Sequence, residues 1–391
     1  MIDTIELEIE VSTQLHEQNF THGATINTKT ITDKSDNSIP HKQTSILASW
    51  PNDLRQWELP EVRFVDYPHP INPMGRCWAY QIKLSIPKLL FGNNLQEVCE
   101  RDFTRVVDKL YEVLVFLELP IEITKKQLIN ARVRRIDYGK NILFKNATTM
   151  SDLNELLRLA EHSKATKTGQ IHYRQSKGEM FRMGIQNRVF IIYDKAAEMK
   201  ENLKKAKPAF DEEFSHYGKI VEQFEKRPEL NCIRLELQIG TSKQLKTELE
   251  RRRFNKEDIS FRAMFNDTIA IDLLNFYYDK LLNAVPSGKK VGLNAISASI
   301  SFNQIARKVD GKRPQNSFAK FGFKTLTGLC GMNRVRSLYE AHFRSDGWSR
   351  MKNKLTITLD GESDFGLMDE VKERLNNGQI LDVTEVLDYE K

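Results

Sequence analysis

Three short segments place ionisable side chains inside otherwise apolar, strand-like runs: RVFIIYDK (188–195), RRIDYGK (134–140) and IRLELQI (233–239). Side chains alternate between the faces of a strand, so Val189, Ile191 and Tyr193 share one face, and Arg234, Glu236 and Gln238 lie opposite Ile233, Leu235, Leu237 and Ile239. A phenol titrates near ~10, and to attack a phosphodiester it needs a cation or a metal ion close by. A hard divalent ion such as Mg²⁺ or Mn²⁺, held by carboxylates, supplies that charge without histidine. Asp137, Glu236 and Asp3 are the candidate ligands on strands; Lys195, Arg234 and Arg135 are candidate clamps for the phosphate. The plainer reading makes the Arg234 face a solvent face, Asp137 a turn carboxylate and Tyr193 a strand aromatic with its hydroxyl at the rim. Tyr138 and Tyr173 are the alternative tyrosines for the nucleophile's role.

These residues need elements to position them. TIELEIEV (4–11) alternates strictly and predicts a half-exposed strand. The next sixty residues, rich in Thr, Ser, Asn, Asp and Pro, read as a long loop or insertion. WAYQIKLSI (78–86) predicts a second strand, and Phe103, Val107, Leu110, Leu114 and Leu117 mark an amphipathic helix of about five turns that Pro120 ends. Residues 131–142 read as a strand and SDLNELLRLAEH (151–162) as a helix. GQIHYRQ, GEMFRMG and RVFIIYDK then suggest an antiparallel meander. A polar helical region over 195–226, a strand over 231–240 and the helix TSKQLKTELERRR follow. Helical patterns near 268–284 and 332–343, with the link PSGKKVG, suggest a change of character near residue 255. The expected class is α+β, with a catalytic domain over 1–255 on a largely antiparallel sheet. A mainly helical DNA-recognition or accessory region with an acidic tail would follow over 256–391.

Composition narrows the chemistry. The 391 residues carry a formal charge of +6, but residues 361–391 hold nine acidic against three basic side chains, leaving 56 basic against 44 acidic in the rest. A polyanionic partner is thereby plausible for the body of the chain. No apolar run is long enough to span a membrane, and the acidic, alternating N-terminus is unlike a secretory signal, so a cytoplasmic location is expected. The four cysteines form no CxxC pair and the eight histidines no HxH or HExxH. With no GxxxxGK[ST], no strand-GxGxxG-helix and no GxSxG, the chain is a poor match to ATP, NAD and α/β-hydrolase chemistry.

The segments MIDTIELEI, QIKLSIPKLLFGNN, RRID, GQIHYRQSKGEMFRMGIQNRVFIIYDKAAEM and IRLELQI, and SFAKFGFKTL near the C-terminus, resemble in order and spacing the gene II-type replication initiators of filamentous phages. Those are single-tyrosine nicking proteins that start rolling-circle replication. A similar YDK followed by an Arg-x-Glu strand occurs in trans-acting plasmid initiators and in relaxases of integrative elements. The resemblance implies that Tyr193 is the nucleophile with Lys195 beside it. It also implies that Asp137, Glu236 and Asp3 hold Mg²⁺ or Mn²⁺, with Asp194 as a substitute for one of them. It further implies nicking and rejoining of origin DNA, double- and single-stranded, through a phosphotyrosine, with a host helicase or polymerase as partner. Arg251, Arg252 and Arg253, and the basic segment 304–324, are candidates for duplex contacts or, equally, solvated surface. The rival readings are a conjugative relaxase and an initiator that binds DNA without cutting it.

Overall fold

Apolar side chains at every second position of one strand after another demand a single covering layer, and the chain supplies it with helices. The computed structural model describes residues 1–31, 41–48, 59–68, 76–144, 170–174, 180–205, 214–282 and 367–387 apart from a few single positions, together with isolated residues between 319 and 336. Its strands are β1 (Ile2–Val11), β2 (Ala24–Ile31), β3 (His41–Ala48), β4 (Glu61–Pro68), β5 (Arg76–Ser85), β6 (Arg132–Phe144), β7 (Gln170–Arg174), β8 (Met180–Ile185), β9 (Arg188–Asp194) and β10 (Asn231–Ile239). Among the described residues these form one ten-stranded sheet in the order β2-β3-β4-β5-β1-β6-β10-β9-β8-β7, and every neighbouring pair is antiparallel. The last of the described strands, β10, is inserted between β6 and β9 and joins two blocks of the sheet.

The helices are α1 (Ile86–Phe91), α2 (Phe103–Phe116), α3 (Lys125–Ile129), α4 (Lys195–Lys205), α5 (Phe214–Lys226), α6 (Ser242–Arg251), α7 (Phe261–Met264), α8 (Asp267–Leu282), α9 (Leu367–Asn376) and α10 (Thr384–Leu387). The α+β expectation holds. One face of the sheet, carrying Ile5, Leu7, Ile136, Tyr138, Leu235, Leu237, Phe190 and Ile192, is buried with Val106 and Leu110 of α2, Leu245 and Leu249 of α6, and Leu273 and Tyr278 of α8. Each such aliphatic or aromatic side chain contributes about 1.5–3 kcal/mol by leaving water. The opposite face is polar. Its far end is covered by a smaller cluster in which Leu143 of β6 and Cys232 of β10 meet Met199 of α4, Tyr217 and Ile220 of α5, and Leu381, Val383 and Val386.

The structure corrects the reading of residues 12–70, where β2, β3 and β4 extend the sheet as an antiparallel meander. Helix α2 has 14 residues and ends at Phe116 with Leu117 as its C-cap, after which Glu118 turns the backbone to a φ of 51° ahead of Pro120. The polar helical region over 195–226 divides into α4 and α5. The helix expected over 151–162, nearly all of 332–343 and the link PSGKKVG lie outside the described residues. Beyond residue 255, Phe261, Leu273, Val371 and Leu375 share the core of the sheet, and Leu381 donates its N–H to the buried Glu97. The acidic C-terminal segment is therefore docked over residues 367–387 where it is described.

Candidate active site

Alternation along the strands decides which side chains meet here. In β10, Arg234, Glu236 and Gln238 fall on the polar face, and the antiparallel register places Arg234 opposite Tyr193 of β9 and Asn141 of β6. Asp137 stands opposite Gln238, diagonal to Glu236. A register shift in β1 between Ile2 and Thr4 leaves Asp3 as the extra residue of a bulge, and bulges of this kind re-aim a side chain. Strands far apart in sequence thus bring Asp3, Asp137, Tyr193, Arg234 and Glu236 to one region of the face.

At its centre is Arg234, only 3% exposed. Its Nη2 lies 2.8 Å from Asp3 Oδ1 and its Nε 3.6 Å from Glu236 Oε2. Nη1 donates to the Asn94 carbonyl at 2.9 Å and to Asn141 Oδ1 at 3.4 Å. The Asn94 loop is itself pinned, because Asn93 Oδ1 accepts the N–H groups of Leu95 and Gln96. Room for the guanidinium comes from Gly139: a Cβ there would fall 2.5 Å from Nη2.

Tyr193 donates its hydroxyl to Glu236 Oε2 at 3.3 Å, while Gln238 Nε2 donates to Glu236 Oε1 at 2.7 Å. Burial pushes the phenol well above its usual range; Arg234 opposes that shift, and Glu236, Glu198 and Asp3 add to it. The residues that follow Tyr193 start a helix. Asp194 Oδ1 accepts the Ala197 N–H at 2.8 Å, the capping bond of α4. Lys195 is fully buried with its Nζ 5.8 Å from the Tyr193 ring centroid, and it donates to Glu198 Oε2 at 2.6 Å. Burial and then Arg234 lower its pKa, against the pull of Glu198 and Asp3. Glu198 also accepts from Asn202 at 2.6 Å.

Asp137 is gripped by both ends of the Arg135 guanidinium, Nε at 3.1 Å and Nη2 at 2.7 Å. Its carboxyl is nevertheless pushed up to about 7, by burial first; Arg135 pulls it down, and the nearby Glu236 and Asp3 raise it further. Among the described residues no three His, Cys, Asp or Glu side chains converge as a closed metal cage. Magnesium does not need one: it binds through one or two carboxylates and fills its octahedron with water and phosphate oxygens. Asp137 and Glu236, hard oxygen donors on diagonal positions with Asp3 beside them, are of the donor type that mode uses, and each of the three also meets a guanidinium, Arg135 for Asp137 and Arg234 for the other two.

Two of the expected residues stand in the site without reaching the surface, and others lie apart from it. Arg234 and Lys195 are interior side chains held by acids, and neither lies at the surface. Arg251, Arg252 and Arg253 sit at the end of α6, whose Leu245 and Leu249 pack in the core on the other side of the sheet. Of these, Arg252 is tied to Asp272 at 2.9 Å and lies 4.0 Å over the Phe276 ring. Tyr138 faces the core and donates its hydroxyl to the Met264 carbonyl; Tyr173 lies outside the described side chains, as does segment 304–324 apart from a few positions. Gly139, Asn94, Glu198 and Arg182 carried no individual signal in the sequence. Arg182 of β8 is exposed on the same face as Tyr193, opposite Ile191.

The family model for the N-terminal region of the phage replication-associated protein encoded by gene II matches residues 1–254. This chain belongs to that family. Membership makes it a filamentous-phage, gene II-type replication initiator. Among the described residues, every strand of the sheet and every residue bonded to the Tyr193 phenol or to the Arg234 guanidinium lies inside the matched segment. No curated protein and no solved structure matches the chain. Among the described residues no helix is long and apolar enough to cross a membrane.

Proposed function

We propose that this gene II-type initiator is a site-specific DNA endonuclease and strand transferase that nicks a replication origin and rejoins the displaced strand, with Tyr193 as nucleophile. The observation that carries the reading is the phenol of Tyr193 held against Glu236 and beside Arg234 at the point where β9 becomes α4. Tyr193 Oη attacks the scissile phosphorus and the P–O3′ bond breaks. The strand leaves with a free 3′-OH as primer, and the 5′ phosphoryl group stays on Oη. The phenolic proton departs along the hydrogen bond to Glu236. A later 3′-OH attacks the phosphotyrosine and regenerates the phenol, so no nucleotide cofactor is consumed in closing the circle.

Arg234 and Lys195 supply interior positive charge near the developing phenolate, and Gln238 fixes the carboxylate of Glu236. Asp137 and Glu236, with Asp3, would hold Mg²⁺ or Mn²⁺, which when bound supplies positive charge to the phosphate oxygens. The substrate is origin DNA, single-stranded at the cut and double-stranded around it, in the host cytoplasm, and the partner is a host helicase that unwinds the duplex or a host polymerase that extends the primer.

The test is incubation with a labelled single-stranded origin oligonucleotide and Mg²⁺ or Mn²⁺, followed by denaturing electrophoresis and peptide mapping. A covalent adduct at Tyr193, lost in Tyr193→Phe with DNA binding retained, is the expected result. Bound DNA without an adduct would assign a non-cutting initiator instead.

A further inference from the structure

The polar face does not stop at the carboxylates. Across the sheet, one transverse row runs Arg182 (β8), Ile191 (β9), Glu236 (β10) and Gly139 (β6); the next runs Gly184, Val189, Gln238 and Asp137. Arg182 is exposed and has no ion pair among the described residues, unlike Arg234 and Arg135, whose guanidinium groups are occupied by acids. Between Arg182 and the acids lie the half-buried Val189, the edge of Ile191, which is 8% exposed, and the bare Gly184. Gly184 has no space for a side chain, since a Cβ there would meet the Arg188 carbonyl at 2.5 Å. One strand spacing and two residues of rise put the Cα of Arg182 roughly 8 Å from that of Tyr193.

We propose that this β8–β9 surface is a subsite for single-stranded DNA, in which Arg182 grips the phosphate next to the scissile one and a base lies on Val189 and Ile191. The placement beside the scissile phosphate rests on Tyr193 being the nucleophile; the strand-binding role itself does not. Charge selects the occupant: an exposed guanidinium with no ion pair among the described residues matches a phosphate, and its fork geometry favours that anion over a neutral ligand. Apolar surface one residue wide suits a splayed base and not the uniform outer face of a duplex.

The experiment measures affinity of a fluorescein-labelled oligothymidylate as a function of salt, in the Tyr193→Phe background so that nothing is trapped covalently. Arg182→Ala is expected to weaken binding and to lower the slope of log K against log salt by about 0.7, the value for one phosphate contact on a single strand. Arg182→Lys is expected to keep the slope, and Lys109→Ala, an exposed lysine on α2 in the helical layer, is expected to leave it unchanged. Unchanged slope and affinity in Arg182→Ala overturns the subsite, as does a loss on duplex DNA as large as that on the single strand. Adduct formation by the unmodified protein is read separately. If it fails while the Arg182 slope change is present, the nicking reading falls and the strand site stands; the reverse pattern removes the subsite alone.

Discussion

Replacing Gly139 by Ala adds one methyl group at the tightest point of the site. That Cβ would sit 2.5 Å from Arg234 Nη2 and 3.0 Å from both Cζ and Nε. Arg234 has little freedom to retreat, because Asp3, Asn94, Asn141 and Glu236 hold it on several sides. Relieving such a contact in a packed interior costs about 1–3 kcal/mol. Displacing the guanidinium weakens a hydrogen bond to a charged group, which adds about 1.5–3 kcal/mol. Alanine is otherwise the better strand residue by roughly 0.5–1 kcal/mol. The expected net loss is therefore about 1.5–5.5 kcal/mol, a fall in thermal midpoint of roughly 2–7 °C for a chain of 391 residues. The assay is thermal or urea unfolding of Gly139→Ala, Arg234→Lys and the double variant. With the guanidinium gone, the methyl group should add under about 1 kcal/mol, and the cycle should show clear coupling. A Gly139→Ala protein within about 0.5 kcal/mol of the parent, or the same penalty in both backgrounds, refutes the steric account.

Asp137 predicts a pH dependence. Its folded carboxyl sits at about 7 against an ordinary value of 3.8, so through that window the fold retains a proton that the unfolded chain has lost. In EDTA, stability should fall as pH rises from about 4 to 7 and level off above, by at most about 4 kcal/mol. Urea midpoints across that range should flatten in Asp137→Asn; a parallel curve would contradict the assignment. Added Mg²⁺ at neutral pH should raise the unfolding midpoint of the parent and do so much less in Asp137→Asn, as ligand linkage requires, and equal stabilisation of both would exclude Asp137 as a ligand. Glu97→Gln removes the carboxylate that Lys140 Nζ meets at 2.6 Å and that also accepts the N–H groups of Asn141 and Leu381. Breaking a buried pair of this kind costs about 3–5 kcal/mol, and hydrogen exchange should show faster opening of residues 381–387 than in the parent.

Much of the sheet was legible because its central strands bury one face only: Ile5, Leu7 and Ile9, or Ile233, Leu235, Leu237 and Ile239, announce themselves by alternation. Strands β2 and β3 did not, because ATINTKTI and HKQTSILA are dominated by threonine and other polar residues that resemble loop composition. Threonine is nonetheless a strand former, and an edge meander needs little apolar surface. At the site, residue types on the polar face were readable, and so was the co-facing of Arg234, Glu236 and Gln238. Their partners were not, since the opposition of Arg234 to Tyr193 is a property of register between distant strands. The burial of Arg234 and Lys195 likewise comes from the Asn94 loop and from α4 and α5, which no local pattern in β10 reveals.

The insertion of β10 between β6 and β9 also orders events in time. While the chain is being made, Tyr193 emerges well before Asn231, and until β10 arrives the two blocks of the sheet have unpaired edges where they will later join. A nascent chain at that stage holds the phenol without Arg234, Glu236 or Gln238. Contacts of such long sequence separation form late and slowly. The same strand that closes the sheet thus acts as its last fastener, and a product truncated or stalled before it carries Tyr193 with neither Arg234 nor Glu236 beside it.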